Sequence, residues 1–343
     1  MKNWLKNKIV GIYDHLGLTA RKRRSLLHTV LVLTYHGILP AEMIRGGEHF
    51  FEYRNVVTQE EFARQMAHLV RHYNPIKAAM LERLSTPSDN KPYVMVTFDD
   101  GFENNFLYAY PILKQYGITG HFFLTTDFMG TRRLLWTEEV TYRIMSTKNS
   151  RITLTLGNNG FFQLATHSVK AKEVASIHLR KWLKLQTRSV IEEALIQLRE
   201  QTSDVQTHNL PRERYQFMDW EQIREMHQGG MVFGSHTSHH FLLNNLSGKE
   251  VKETLQKSKQ AIEHAIEHPC TLFSYPNGEA QNFSPRDQQI LQELDYHFAF
   301  TQIPGFNHIH ELPAIRYQLY RMNISYFMKM PIFKAVITGL WNR

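Results

Sequence analysis

The sequence predicts an α/β protein built around a parallel sheet, and three observations support this. Short apolar or β-branched runs alternate with segments of helical periodicity, which is the pattern of repeated βα units. The chain has 343 residues, of which 42% are hydrophobic and 21% charged, so it can bury a sizeable core. Its single cysteine, Cys270, excludes an internal disulfide framework and a thiolate metal cluster. One large α/β barrel or two modest domains would fit this length.

The first part of the chain is predicted to contain strands over residues 30–34, 93–98 and 121–124. Each is apolar or β-branched and is ended by turn residues. Residues 58–61, Thr-Gln-Glu-Glu, form a capping-box pattern and predict a helix that starts there. Another helix follows the 93–98 strand, and Pro111 is expected to break or restart it.

Residues 130–217 depart from this alternation and are interpreted as an insertion in the barrel. Within them, the runs 151–156 and 161–164 flank a Gly-Asn-Asn-Gly turn and predict a β-hairpin. A polar helical region follows over residues 171–201. The βα pattern then resumes, with helices expected over 220–226 and 247–267 and strands over 231–233 and 271–275.

Both ends of the chain mix basic and apolar residues, and the formal net charge is +8. Residues 1–29 and 326–343 could lie on a bilayer surface or pack on the body as helices with solvated lysines, and both interpretations stay open. The apolar run Leu26–Thr34 is too short to span a bilayer and lacks a cleavage site. We therefore expect a cytoplasmic protein, which on the bilayer interpretation of its ends contacts the inner face of the membrane.

Polar residues follow four of the predicted strands, at the ends where parallel α/β folds place their active sites. Adjacent Asp99 and Asp100 would be costly to bury together, because like charges raise one pKa unless a cation compensates. A divalent metal would allow one carboxylate to be a ligand and the other a base. A solvated Asp-Asp-Gly turn is the ordinary alternative.

The segment from His236 to His240 supplies imidazoles four residues apart, which reach one metal if the segment makes a single helical turn. Two imidazoles and one carboxylate form an open site for catalytic zinc, and also for non-haem iron. His239 is assigned a structural or solvent-facing role.

At these positions the chain resembles the polysaccharide deacetylases, also called the NodB-homology domain or carbohydrate esterase family 4. Residues 97–101, Thr-Phe-Asp-Asp-Gly, match the first motif of that family, and residues 234–240 match the second. Residues 273–278 resemble the Phe-x-Tyr-Pro-x-Gly form of the third motif. Apart from the insertion, the resemblance covers the segment taken here as the barrel domain, residues 30–325.

The resemblance implies a distorted (β/α)7 barrel of NodB type and a hydrolase that removes an acyl group, normally acetyl, from an amino sugar. It implies that a divalent metal is held by Asp100, His236 and His240, with Asp99 as the general base. Zn2+ is the expected metal, and Co2+ or Ni2+ would also fit such a ligand set.

For the third motif, the resemblance implies an oxyanion or substrate contact in the stretch Tyr275, Pro276 and Asn277. The backbone N–H after the proline, that of Asn277, is the expected donor to the oxyanion.

Two departures from the family pattern affect the remaining roles. The C-terminal Leu-x-x-His motif that supplies a general acid is missing, so His36 takes that role by analogy with circularly permuted members, against a buried core histidine as the alternative. Ser274 stands where an arginine usually orients the base. We expect Arg321 to replace that arginine by pairing with Asp99, against a surface ion pair as the alternative.

The predicted function is therefore N-deacetylation of an amino-sugar-containing glycan or of a lipid-linked or nucleotide-activated precursor. Deformylation or hydrolysis of another small amide would use the same residues, and a catalytically silent glycan- or lipid-carrier-binding module is the competitor from another class. Trp136 and Glu138 are candidates for lining the cleft. A nucleic-acid partner is not expected, because the basic residues do not form a known recognition module.

Overall fold

The structure is a computed structural model that describes residues 16–44, 51–87, 89–157, 160–207 and 210–341. The strands, in chain order β1 to β13, are Thr29–Tyr35, Gly37–Leu39, Val56–Thr58, Asn74–Pro75, Tyr93–Phe98, Gly120–Leu124, Arg151–Leu156, Gly160–Ala165, Val232–Ser235, Leu272–Ser274, Phe298–Phe300, Asn307–His308 and Met322–Asn323. The α-helices, α1 to α11, are Leu18–Arg24, Gln59–His72, Tyr110–Gln115, Trp136–Ser146, Val169–Leu183, Arg188–Gln201, Arg212–Tyr215, Trp220–Gln228, Gly248–Ile266, Pro285–Glu293 and Met330–Ile337.

The main sheet has the strand order β11-β10-β9-β6-β5-β1, and each of these neighbours is parallel. β1 and β5 are in register from Val30 opposite Tyr93 to Tyr35 opposite Phe98. The residues that follow the two strands therefore leave the sheet side by side. Short strands complete the sheet, with β4 parallel to β5 and β12 antiparallel to β1.

Residues 316–323 join the two edges of this sheet. Leu319 exchanges backbone hydrogen bonds with Ala299 and Thr301 beside β11, at 2.9 Å each. Met322 in β13 then pairs in parallel with Leu33 of β1. The sheet thus curls into a barrel-like shape that one irregular segment closes, and the α/β barrel class predicted from the sequence is confirmed.

Helix α2 packs the apolar side chains on one of its faces against the sheet. The Thr58 hydroxyl accepts a hydrogen bond from the backbone N–H of Glu61 at 3.3 Å, which caps the helix as its sequence predicts. The helix buries Phe62 and Met66, and the Phe62 ring packs edge-on against Tyr35 of β1 with 5.1 Å between centroids. The predicted restart at Pro111 is also confirmed, because a π-helical turn gives way to α3 at that point.

The predicted insertion lies between β6 and β9 and contains the hairpin β7–β8. The polar region predicted as helical over 171–201 divides into α5 and α6, with Thr187 at the start of the second helix. A further helix that the sequence analysis did not identify, α4, packs against both of them. The insertion therefore forms a small helical layer beside the carboxyl ends of the strands.

The C-terminal helix α11 packs on the body next to α2 and buries Phe333 and Ile337 completely. Most of the basic N-terminal stretch, residues 1–15, lies outside the described residues. In the part of the chain that is described, no helix combines the length and apolar character needed to cross a bilayer. Contact with a membrane surface stays a prediction.

Candidate active site

The carboxyl ends of β1, β5, β9 and β10 surround a pocket of about 280 Å³. Polar and charged side chains dominate its lining, which is His36, Arg54, Asn55, Asp99, Asp100, Thr137, Glu138, Arg180, Lys184, His236, His240, Leu242, Asn277, Glu279, Gln302 and Asn323. Six of the predicted site residues are in this set. An apolar ligand alone would not require such a lining, so the pocket is suited to a polar substrate.

Three of these side chains present ligand atoms to one point. The Nε2 atoms of His236 and His240 lie 3.6 and 3.4 Å from Oδ1 of Asp100, and one ligand atom from each residue lies within 4.8 Å of the others. Burial lowers the pKa of both histidines, so the imidazoles are neutral and able to donate a lone pair to a metal. Two imidazoles and one carboxylate match a zinc-type site with an open position.

Neighbouring groups also fit a cation at this point. The Nδ1 atom of His236 lies 2.7 Å from the carbonyl oxygen of Ser274, which fixes the ring with Nε2 facing Asp100. Burial and the charge of Asp99 raise the pKa of Asp100 well above its usual value. A divalent cation would supply the positive charge that an ionised Asp100 needs here.

The loops that carry these ligands are not helical. The sequence analysis had the two imidazoles reach one metal if the segment from His236 to His240 made a single helical turn, but they converge without one. The segment bends instead, with φ of 66° at Thr237 and 61° at His240. The Thr237 hydroxyl accepts a hydrogen bond from the N–H of His240 at 2.9 Å and stabilises the bend. Asp100 and Asn277 also have left-handed φ values, of 75° and 62°. Such backbone strain is typical of functional sites.

Asp99 is held by a buried arginine. The Nη1 and Nη2 atoms of Arg321 donate to Oδ1 and Oδ2 of Asp99 at 2.9 and 2.7 Å, and both side chains are withdrawn from solvent. Burial by itself would raise the pKa of Asp99, but the charge and hydrogen bonds of Arg321 outweigh it and hold the pKa well below its usual range. Gln302 donates a further hydrogen bond to Oδ2 at 2.9 Å.

Arg321 is itself fixed by two strands, β5 and β10, and by the residue that follows β11. It donates to the Ser274 hydroxyl at 2.7 Å, to the Thr97 hydroxyl at 3.2 Å and to the Thr301 carbonyl at 2.6 Å. The arginine predicted from the sequence therefore reaches Asp99, and Ser274, where the family usually has its arginine, supports it.

His36 leaves the end of β1 beside Asp99 and lines the pocket. Its Nδ1 atom has no hydrogen-bond partner within the described chain. Burial, only partly opposed by the charge of Asp99, lowers the pKa of His36 to about 4. The side chain is therefore a neutral imidazole at pH 7, with its ring directed into the site.

The loop after β10 does not bring all three predicted residues into the pocket. The Tyr275 hydroxyl donates to the carbonyl of Tyr317 at 2.9 Å, its ring stacks on Phe283, and neither Tyr275 nor Pro276 lines the pocket. Asn277 does line it, and its backbone N–H donates no hydrogen bond to another described residue. Asn277 is thus the member of the three placed to contact a substrate.

Of the two insertion residues predicted as candidates for lining the cleft, Glu138 does so and Trp136 does not. Glu138 lines the pocket and receives a hydrogen bond from Arg214 at 3.1 Å. Trp136 lies behind the site instead and donates to the carbonyl of His240 at 3.1 Å. His239 turns away from the ligand cluster, with Nε2 2.9 Å from a carboxylate oxygen of Asp127.

Nine lining residues were not singled out by the sequence analysis, and four of them contribute positive charge or a contact to Asp99, namely Gln302, Arg54, Arg180 and Lys184. Gln302 lies two residues beyond β11, so the only signal for it in the sequence is its place after a short apolar run, Phe298–Phe300. The three basic residues have no such signal, since on a helix or loop they look like ordinary solvated charges.

Comparisons with known proteins agree with this geometry. The family model of the polysaccharide deacetylases matches residues 86–299, which is more than half of the chain. A polysaccharide deacetylase by name, YxkH of Bacillus subtilis (strain 168), is 21% identical over 316 residues, which are 90% of this chain and 76% of that protein. The matched range contains Asp99, Asp100, His236 and His240, whereas His36 and Arg321 lie outside it.

Solved structures share the fold. The Streptococcus pyogenes deacetylase PplD in complex with acetate aligns with a TM-score of 0.55 and 18% identity, covering 90% of this chain and 98% of that one. IcaB from Ammonifex degensii aligns with a TM-score of 0.55 and 18% identity, over 91% and 97% of the two chains. The sheet, the pocket at its carboxyl end and the family match lead to one conclusion: the chain belongs to the polysaccharide deacetylase family and is an enzyme of the carbohydrate N-deacetylase class.

Proposed function

We propose that this protein hydrolyses the N-acetyl group of an amino sugar, using a divalent metal held by Asp100, His236 and His240. One observation carries the proposal: the three ligand atoms converge within 4.8 Å beside Asp99, a second carboxylate that an arginine keeps ionised. This arrangement separates a ligand carboxylate from a base carboxylate. Zinc is the metal that best suits two imidazoles and one carboxylate with an open position.

When bound, the metal would supply Lewis acidity that polarises the amide carbonyl and acidifies water. Asp99 accepts the proton of the attacking water. Its two oxygens receive hydrogen bonds from Arg321 and Gln302, but an ionised carboxylate offers about four lone-pair sites, so acceptor capacity remains. Arg321 and Gln302 thereby fix the direction in which Asp99 points.

Asn277 and His36 complete the reaction. The N–H of Asn277 donates to the carbonyl oxygen as negative charge develops on it. The amine that leaves needs a proton, and His36 is the group we assign to deliver it. Because its pKa is about 4 in the free protein, His36 does not carry that proton beforehand. We assign it the relay of the proton that Asp99 has taken from water, which goes to the amine and leaves Asp99 ionised again.

The test is acetate release. Protein loaded with Zn2+, Co2+ or Ni2+ is incubated with N-acetylglucosamine oligosaccharides, and acetate is followed by proton NMR. We expect release that the Asp99→Asn and His236→Ala variants lack. A folded, metal-loaded protein that releases no acetate from any acetylated amino sugar would refute the proposal, and release of formate from an N-formyl analogue alone would refute the acetyl assignment.

A further inference from the structure

One side of the pocket is formed by three basic residues, Arg54, Arg180 and Lys184, which we call the cationic wall. Arg54 precedes β3, whereas Arg180 lies in the last turn of α5 and Lys184 caps its C-terminus with helical backbone angles, so the two side chains, four residues apart, project from the same face. The insertion therefore places positive charge in the same pocket as Asp99 and the proposed metal ligands.

The two guanidinium groups are held near each other by one aromatic ring. The Cζ atom of Arg54 lies 4.4 Å and that of Arg180 5.7 Å from the centroid of the Phe51 ring. Arg54 also donates to the Phe51 carbonyl at 2.9 Å, and Lys184 donates to the side-chain oxygen of Asn277. The positive charges of Arg54 and Arg180 are thus held together by an aromatic ring and a backbone carbonyl, and these contacts carry no negative charge that would neutralise them.

The two fully buried arginines near the site have carboxylate partners, Arg321 with Asp99 and Arg214 with Glu138, whereas the three residues of the cationic wall are half-buried. Within the described chain, none of the three residues of the cationic wall lies within ion-pair distance of a carboxylate. The carboxylate of Glu138 interacts electrostatically with Arg54 and Arg180, but it accepts its hydrogen bond from Arg214. Glu279, the carboxylate near Lys184, is exposed to solvent.

Partial burial without a paired anion is unfavourable for a cation, and the lowered pKa values of the three basic groups reflect this. Burial lowers the pKa of Arg180 to about 10 and also lowers the pKa of Arg54 and of Lys184. Each of these cations would gain free energy from an anion in the pocket. A neutral acetylated amino sugar brings no such group.

We propose that the cationic wall binds a phosphate group of the substrate, so that the enzyme acts on a phosphorylated or diphosphate-linked amino sugar. The inference rests on the proposed function and specifies its substrate class. Phosphate suits the wall because guanidinium groups bind its oxygens in pairs, and because it is anionic at pH 7: a terminal phosphate carries close to two negative charges and a phosphate linked on both sides carries one. Sugar phosphates, nucleotide sugars and lipid-phosphate-linked sugars share this group.

Binding can be measured without turnover by using the deacetylated products. Calorimetry on the zinc-loaded protein should show that glucosamine 1-phosphate binds at least about tenfold more tightly than glucosamine, as expected for charge-assisted hydrogen bonds. The Arg180→Gln variant should lose this preference, and so should Lys184→Met. Lys181→Gln, an exposed neighbour on α5, is the matched control and should keep it. A preference unchanged in both wall variants would mean that phosphate binds elsewhere, for instance on the metal, and would overturn the inference.

Turnover separates this inference from the proposed function. The ratio of kcat/KM for N-acetylglucosamine 1-phosphate to that for N-acetylglucosamine should exceed about ten and fall toward one in Arg180→Gln. Acetate release with a ratio of one in the unaltered protein would overturn the inference and leave the deacetylase intact, whereas no release from any substrate would count against the deacetylase itself. Two further substrates are assayed in parallel, UDP-N-acetylglucosamine and a detergent-solubilised lipid-phosphate-linked N-acetylglucosamine. Their kcat/KM values show whether the phosphate bound by the cationic wall belongs to a sugar phosphate, a nucleotide sugar or a lipid-linked sugar.

Discussion

Arg321 donates to both carboxylate oxygens of Asp99, at 2.9 and 2.7 Å, and both side chains are buried away from solvent. The two residues are 222 positions apart in the chain. Their contact connects the strand that starts the family motif to the segment that closes the sheet. A buried carboxylate and a buried guanidinium depend on each other, because either one alone would be an unpaired charge in the interior.

We expect Arg321→Met to destabilise the protein by roughly 3–5 kcal/mol, the usual cost of leaving a buried charge without its partner. Adding Asp99→Asn should recover much of that loss, since the unpaired carboxylate is then removed. Urea unfolding of the two single variants and the double variant measures the coupling. Additive losses in the double variant would show that the pair contributes nothing beyond its separate members.

Metal binding and base catalysis should separate by mutation. His236→Ala removes a ligand atom and should strip the metal, whereas Asp99→Asn should retain it and lose only amide hydrolysis. Metal content by mass spectrometry and acetate release, measured on the same samples, test this. His239→Ala, which alters a histidine paired with Asp127, is the control and should keep its metal. Equal metal loss in the Asp99 and His236 variants would contradict the separate roles.

His36→Gln should lower kcat by about 10²–10⁴-fold, the range typical of a lost general acid or base, with metal content unchanged. NMR titration of the ring signals should show His36 neutral down to about pH 5, because burial lowers its pKa to about 4. A titration midpoint above pH 6 would contradict the buried environment, and an unchanged kcat would remove His36 from the reaction.

Stability should fall as the pH drops from about 6.5 to about 4, partly because of His121. This residue is fully buried, and its Nδ1 lies 3.1 Å from the Val96 carbonyl while its Nε2 accepts from the N–H of Ala78 at 3.0 Å. Burial lowers the pKa of His121 to about 4, so in this window the unfolded chain binds more protons than the folded one. His121 therefore lowers the free energy of unfolding by about 3 kcal/mol between pH 6.5, where the loss begins, and pH 4.

Urea unfolding at pH 7 and pH 4.5 measures this dependence. In His121→Gln the difference between the two pH values should shrink by most of the His121 contribution, whatever the absolute stability of the variant. An identical pH dependence in both proteins would show that His121 titrates alike in the folded and unfolded states.

Much of the fold was predictable because the strands are continuous apolar runs. β5 begins and ends at the predicted residues, 93 and 98, and the residues after β1, β5, β9 and β10 meet at one pocket as expected. The bend from His236 to His240 was not predictable from spacing. Imidazoles four residues apart suit a helical turn, but the left-handed φ at Thr237 comes from its hydroxyl bonding the N–H of His240.

The cationic wall was beyond sequence reasoning for a different reason. Arg180 and Lys184 lie on a largely polar helix, where basic residues usually face solvent, and only the packing of the insertion over the sheet directs them inward. Gln302 was missed because β11 is three residues long. Long-range packing decides such positions, and local pattern carries little information about it.

The closing segment, residues 316–323, has a consequence for how activity is acquired. It is among the last parts of the barrel to be synthesised, and it carries the guanidinium that keeps Asp99 ionised within the interior. Until it docks against β11 and β1, the carboxylate that we assign as the base has no counter-charge. A chain released early or clipped before residue 316 would keep the proposed metal ligands and lack the counter-charge of the proposed base, so we expect activity to appear only when the barrel is complete.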